Sequence, residues 1–263
     1  MLKVINLPRM FANERKNKIL EFLQKKQRAT VKELSEIFNV SDATLRADLN
    51  RMEEEGLLIR THGGAMIDDS KHLENSFSFR EKKNRAEKIA IGNKAVELIQ
   101  DGQCIILDGS STALELARVL RKKQIRLTVV TNGIYTATEL KENPGITVIL
   151  VGGVLRIGSF SAEGTLGADI LSQINVDTMF TSASGFSFAD GLTDFNVYEV
   201  ELKKIMVNTA SRTIALLDHS KMEKSSIASF AKIHQIDTII TDDKTPRSVL
   251  EQIEKKGIKV ILA

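Results

Sequence analysis

Two groups of residues have the types and spacing to do chemistry. The first is Asp108-Gly109-Ser110-Ser111-Thr112, which follows the apolar run Cys104–Leu107 and opens a helix-forming segment, 112–121. Three hydroxyls beside the unpaired amides of a helix N-terminus suit an anion, phosphate above all. Other apolar runs end the same way, in Thr131-Asn132-Gly133, Gly152-Gly153 and Ser184-Gly185, while Lys221 follows the run that ends at Leu217-Asp218. Lys221 offers a point charge for a phosphate. We therefore expect Asp108, Gly109, Ser110, Ser111, Thr112, Thr131, Asn132, Gly152, Gly153, Ser184, Gly185 and Lys221 to converge on one small-molecule pocket. Such pockets lie outside the carboxyl ends of parallel strands.

The second group lies near the N-terminus. Ser41, Thr44, Arg46, Asn50 and Arg51 occupy one helical segment, with Arg60, His62 and Gly63 beyond it and Thr30 and Lys32 before it. Arginine pairs bidentately with guanine, asparagine with adenine, and hydroxyls hold phosphates. These ten residues form a candidate surface for duplex DNA.

The elements that must position them follow from periodicity. Ile19, Phe22 and Leu23 mark a first helix that ends near Lys26. Thr30 with Glu33 three residues on is a capping box for a second helix, whose apolar stripe is Leu34, Ile37 and Phe38. After a turn at Asn39-Val40, Ser41 caps a third helix with Leu45, Leu49 and Met52 inward and Gly56 as its C′ residue. Two extended arms around Gly63-Gly64 read as a hairpin. Helix, helix, turn, helix and a two-stranded wing make a winged helix-turn-helix over 11–67. Residues 68–76 are polar and read as a linker. Over 77–263 a long helix through Ile89, Ala90, Ala95, Val96 and Ile99 precedes apolar runs alternating with helical segments. That is the grammar of an open, doubly wound, mostly parallel α/β domain.

Composition excludes several classes. With 263 residues, 42% apolar and 27% charged, the chain can bury two domain cores. The single cysteine, Cys104, rules out an internal disulfide and any Cys₂ or Cys₄ zinc site. No metal or cofactor is expected. There is no long apolar run and no signal-peptide pattern, so a cytoplasmic location is expected. The net charge of +3 lies wholly in residues 1–66, which hold 12 Lys and Arg against 9 Asp and Glu, whereas 67–263 holds 25 of each. A basic first quarter agrees with nucleic acid as a partner.

Residues 40–49, with Glu55-Gly56 and His62-Gly63-Gly64-Ala65, resemble the signature of the DeoR family of bacterial transcriptional regulators. The likeness continues through Phe79-Arg80, Lys88-Ile89-Ala90, the 108–112 loop, Thr131-Asn132, Gly152-Gly153, 190–193 and Asp218-His219-Ser220-Lys221. It implies a C-terminal domain similar to ribose-5-phosphate isomerase. It also implies a phosphorylated sugar or related metabolite as effector, operator DNA as target, and a homodimer or homotetramer that acts as a repressor of a carbohydrate operon. Two departures stand out. Ala47 follows Arg46 where the family usually has a second arginine, and Ser110 takes the second slot of the phosphate loop.

The alternative is a sugar-phosphate isomerase-like enzyme. Such chemistry needs a carboxylate base at the reacting carbons. The strand end Thr181–Gly185 has none; Asp190, Asp194 and Glu199 lie farther along. A pocket without a base is the pattern of a sensor, and no catalytic residue is expected.

Overall fold

The computed structural model describes residues 12–54, 57–66, 76–156 and 159–263. Gly56, the domain limits at 11 and 67, and all of the expected linker but Ser76 lie outside them. The chain divides between Lys82 and Lys83 into two compact units, rather than at 77.

The first unit contains α1 (Ala12–Lys26), β1 (Arg28–Thr30), α2 (Val31–Phe38), α3 (Asp42–Glu54), β2 (Ile59–Thr61), β3 (Gly64–Met66) and α4 (Phe77–Lys82). Thr30 caps α2 as expected. Its hydroxyl accepts from the Glu33 amide at 3.1 Å, and the Glu33 carboxylate accepts from the Thr30 amide at 2.7 Å. Asn39 then turns into the left-handed region at φ 51°, ending α2. The Ser41 hydroxyl accepts from the Thr44 amide and starts α3. Ile19, Leu23, Leu34, Leu45, Leu49, Met52 and Leu58 close a core in which each is buried. Truncating one such leucine to alanine costs about 2–5 kcal/mol. Ile37 is exposed, so the stripe of α2 is Val31, Leu34 and Phe38 instead. The wing is also more than a hairpin. β1 pairs antiparallel with β3, giving a three-stranded sheet ordered β1-β3-β2. Gly64 lies within β3, not in the turn, because a Cβ there would come within 2.0 Å of the Ala29 carbonyl oxygen. A three-residue strand such as Arg-Ala-Thr leaves no period to read.

The second unit is built on seven parallel strands: β4 (Cys104–Leu107), β5 (Leu127–Thr131), β6 (Ile146–Leu150), β7 (Thr178–Thr181), β10 (Thr213–Leu216), β12 (Thr238–Thr241) and β13 (Lys259–Leu262), ordered β13-β12-β10-β7-β4-β5-β6. β8 (Gly185–Ser187), β9 (Gly191–Asp194) and β11 (Ala228–Ala231) form a separate antiparallel sheet. The helices are α5 (Arg85–Ala95), α6 (Ser111–Leu120), α7 (Ile134–Leu140), α8 (Val197–Thr209) and α9 (Arg247–Lys255). Neighbouring strand residues feed opposite cores. Ile105, Leu107, Val129 and Phe180 pack with Ile91 and Leu116, while Ile106, Val130 and Met179 pack with Leu202 and Met206. Strands buried on both faces read as unbroken apolar runs. The single long helix expected from 77 onward is interrupted at Asn84, which takes φ 52° ahead of α5. Within α5 the buried positions are Lys88, Ile91, Gly92 and Ala95, and Ile89 is exposed.

Leaving β4, the chain winds outward through β5 and β6 and then returns to β7 on the other side of β4. The strand order therefore reverses between β4 and β7. A doubly wound sheet opens its crevice at such a point.

Candidate functional site

At that reversal the Asp108 carboxylate is completely buried. One oxygen accepts from the Thr181 hydroxyl at 2.6 Å and the Ser182 amide at 3.0 Å; the other accepts from the Ser110 amide at 3.1 Å. The Lys203 ammonium, from α8, stands 3.1 Å from Asp108 and 2.8 Å from Asp194, and donates to the Ser182 carbonyl. Burial works against its charge, but the carboxylates of Asp194, Asp108 and Glu199 outweigh that and hold its pKa above the ordinary lysine value. Asp194 also accepts from the Ser184 hydroxyl, and Glu199 from the Ser161 hydroxyl. Each of these carboxylates is thus engaged by a cation or a hydroxyl.

Beside this cluster begins α6. Ser110 caps it through the Ala113 amide. The amides of Ser111 and Thr112 fall in the first turn, where no intrahelical acceptor exists. The buried Lys88 ammonium donates to the Ser111 hydroxyl at 3.1 Å. The charges of Lys221 and Lys88 both act on Asp218, just beyond β10. Burial opposes that carboxylate's charge, but the Ser220 hydroxyl, Lys221, Asn84 and Lys88 keep its pKa below the usual range. Lys88, from α5, thus meets the start of α6 after β4, and its charge, with that of Lys221, also reaches Asp218 beyond β10.

The remaining residues of the sequence reading have structural partners. Asn132 accepts from the Gly109 amide and donates to the Ala162 carbonyl, and Thr131 accepts from the Gly133 amide. Gly152 and Gly153 are exposed and allow close backbone approach. A Cβ at Gly153 would come within 2.4 Å of the Glu163 carbonyl oxygen, and one at Gly167 within 2.5 Å of the Gly152 oxygen. Gly185 lies in β8, against the Lys224 backbone. Asp190 is held by the hydroxyls of Ser187 and Ser225, which lower its pKa. A cleft of about 480 Å³ opens elsewhere, between Arg121–Arg126 and Asn143–Gly145, and carries none of these strand ends. Lys203 and Lys88 were missed in the sequence reading. Val200, Lys203, Met206 and Val207 follow helical spacing, which puts Lys203 on the buried stripe of α8.

In the first unit, Arg46, Ala47 and Asn50 share the face of α3 opposite the buried Leu45, Leu49 and Met52. Arg51, Lys32, His62 and Gly63 are exposed as well. Five of the expected DNA contacts also have internal partners. The Thr30 hydroxyl is shared with Glu33, and the Arg60 guanidinium donates to Asn50 and to the Gly64 carbonyl. The Ser41 and Thr44 hydroxyls lie 2.9 Å apart. An unforeseen pair ties α1 to α3: Arg15 donates to both oxygens of Asp48, at 2.6 and 3.1 Å, and the hydrogen bond raises the Arg15 pKa.

Residues 83–243 match the DeoR C terminal sensor domain and residues 15–71 the DeoR-like helix-turn-helix domain. The chain belongs to the DeoR family. It is 45% identical over 254 residues to the HTH-type transcriptional regulator GolR of Listeria innocua, covering 97% of this chain and all of that one. It is 30% identical over 255 residues to the glycerol-3-phosphate regulon repressor of Escherichia coli, covering 96% of this chain and all of that one. Among solved structures, ribose 5-phosphate isomerase A of Methanocaldococcus jannaschii overlaps 53% of this chain and 55% of its own, at 19% identity and a TM-score of 0.41. That likeness is too loose to bear on function. As a DeoR-family member the chain is a DNA-binding transcriptional regulator. Among the described residues no helix is long and apolar enough to cross a membrane, and no cluster of His, Cys, Asp or Glu could hold a metal ion.

Proposed function

We propose that this chain represses a carbohydrate operon and is released from its operator by a phosphorylated sugar or a related metabolite. The observation that carries the reading is the buried Lys88 ammonium at the Ser111 hydroxyl, beside the first-turn amides of α6. A buried cation at a helix N-terminus is suited to a phosphate. The occupied carboxylates favour sensing over isomerisation, because none is left as a base for proton transfer. Names among the relatives, such as the glycerol-3-phosphate regulon repressor, agree with such an effector. One head reads a short half-site, so operator binding is by a homodimer or homotetramer.

Thermal unfolding with a panel of pentose phosphates, hexose phosphates and glycerol 3-phosphate tests the reading. A ligand at 100 times its Kd adds about 2.7 kcal/mol of apparent stability. The same compound should lower affinity for operator DNA, and DNA should weaken the compound's binding by the same factor. Stabilisation by unphosphorylated sugars alone would overturn the phosphate assignment.

A further inference from the structure

Arg60 lies on β2 of the wing, where exposed arginine would ordinarily meet a DNA phosphate. Here its donors are directed inward. The guanidinium donates from Nε to Asn50 Oδ1 at 3.1 Å and from Nη1 to the Gly64 carbonyl at 2.5 Å, and its backbone amide donates to Glu53 at 2.9 Å. Two of these bonds, to Asn50 and Glu53, join the wing to the second half of α3, and the third, to Gly64, holds Arg60 within the wing. A guanidinium has donors only, so the atom that Asn50 turns toward it must be the carbonyl oxygen. An amide is planar, and its NH₂ group then points away from the wing. Asn50 is exposed on the same face of α3 as Arg46.

We infer that Arg60 is a positioning residue that touches no DNA and fixes Asn50 as a donor, so that Asn50 reads a base acceptor. The acceptor atoms in the major groove are guanine N7 and O6, adenine N7 and thymine O4. The bidentate pairing of asparagine with adenine needs that oxygen turned to the base beside the NH₂ group, whereas here it faces Arg60. This inference rests on α3 being the helix that reads DNA.

The test uses the full chain and a pool of random-sequence duplexes. Wild type should enrich one base pair at one position of each half-site, since each base pair presents a major-groove acceptor but in a distinct place. Asn50→Ala should abolish the preference there and leave other positions unchanged. Arg60→Ala should abolish it at the same position, and the double variant should lose no more than either single one. Asn50→Asp keeps an acceptor for Arg60 but removes the donors, so it should retain wild-type thermal stability and still lose the preference. On one selected duplex, Arg60→Ala should bind about tenfold more weakly with the wild-type salt slope; loss of a phosphate contact would reduce that slope by about 0.9. A preference that survives Arg60→Ala, a reduced slope in Arg60→Ala, or a preference indifferent to Asn50 each overturns the inference. A wild-type chain that enriches no sequence removes DNA reading by α3 itself, a failure distinct from those three.

Discussion

Lys203 and Asp108, which are 95 positions apart in the chain, form an ion pair of 3.1 Å with neither side chain open to solvent. The ammonium comes from α8 and the carboxylate from the end of β4, so the pair fastens a helix to the point where the strand order reverses. Asp194 completes the arrangement at 2.8 Å from the same nitrogen. Asp194, one of the carboxylates that lie beyond the Thr181–Gly185 strand end, is thereby committed to holding the site together.

Lys203→Met should therefore destabilise the second unit by about 3–5 kcal/mol, since two buried carboxylates lose their counter-charge. Urea unfolding would measure it. Adding Asp194→Asn should recover part of the loss, because one of the two uncompensated charges is then gone. An unchanged midpoint in the single variant would show the pair to be energetically idle.

Acid should weaken the second unit through Asp218. Its folded pKa is lowered, with burial opposed by the Ser220 hydroxyl, Lys221, Asn84 and Lys88. The contribution is fully present above the unfolded value of about 3.9 and is lost as pH falls through the lower, folded value. Thermal midpoints measured from pH 6 down to pH 2.5 should decline less steeply in Asp218→Asn than in wild type. Parallel curves would place the acid sensitivity elsewhere.

The legible part of the molecule was whatever repeats locally. The capping box of Thr30 and Glu33, the inward row Leu45, Leu49 and Met52 at helical spacing, and the unbroken apolar runs of the parallel strands are each readable within one segment. What stayed hidden depends on partners far along the chain. β1 is a strand because β3 lies beside it, and β8, β9 and β11 are three or four residues each, too short for a pattern. The internal partners of the Arg60 guanidinium and the Thr30 hydroxyl are likewise not legible, because residue type says nothing about where a donor points. Lys203 was passed over because the charge of a lysine outweighed the spacing that put it on a buried stripe.

On the DNA-binding face, Arg46→Ala should cost about 1–3 kcal/mol of affinity for a duplex selected by wild type. Arg46 is exposed on the α3 face opposite the core, so folding should be unaffected. Arg15→Ala should also weaken binding, but by a different route. It removes the α1 brace from Asp48 and should lower the thermal midpoint of the first unit in parallel. Gel-shift titration at fixed salt, paired with thermal unfolding, separates the two. Equal affinity of Arg46→Ala and wild type would take Arg46 off the DNA surface.

The two cations near α6 should differ in what their loss does. Lys88 is buried and bonded to Ser111, whereas Lys221 is half-buried on the turn after β10. If both hold a phosphate, either alanine variant loses a charge-assisted contact of about 1.5–3 kcal/mol, so release from DNA should need roughly ten- to a hundredfold more effector. Lys221→Ala should do so with little change in stability, giving a chain that stays on its operator when the sugar phosphate is supplied. Lys88→Ala should show the same shift together with a lower thermal midpoint, because it also leaves the Ser111 hydroxyl without its buried donor. A dose–response of DNA release against the sugar phosphate that stabilises wild type reads both variants at once. A Lys221→Ala curve that overlies wild type would remove Lys221 from the phosphate site, and a Lys88→Ala curve that does the same would reduce Lys88 to a packing role between α5 and α6.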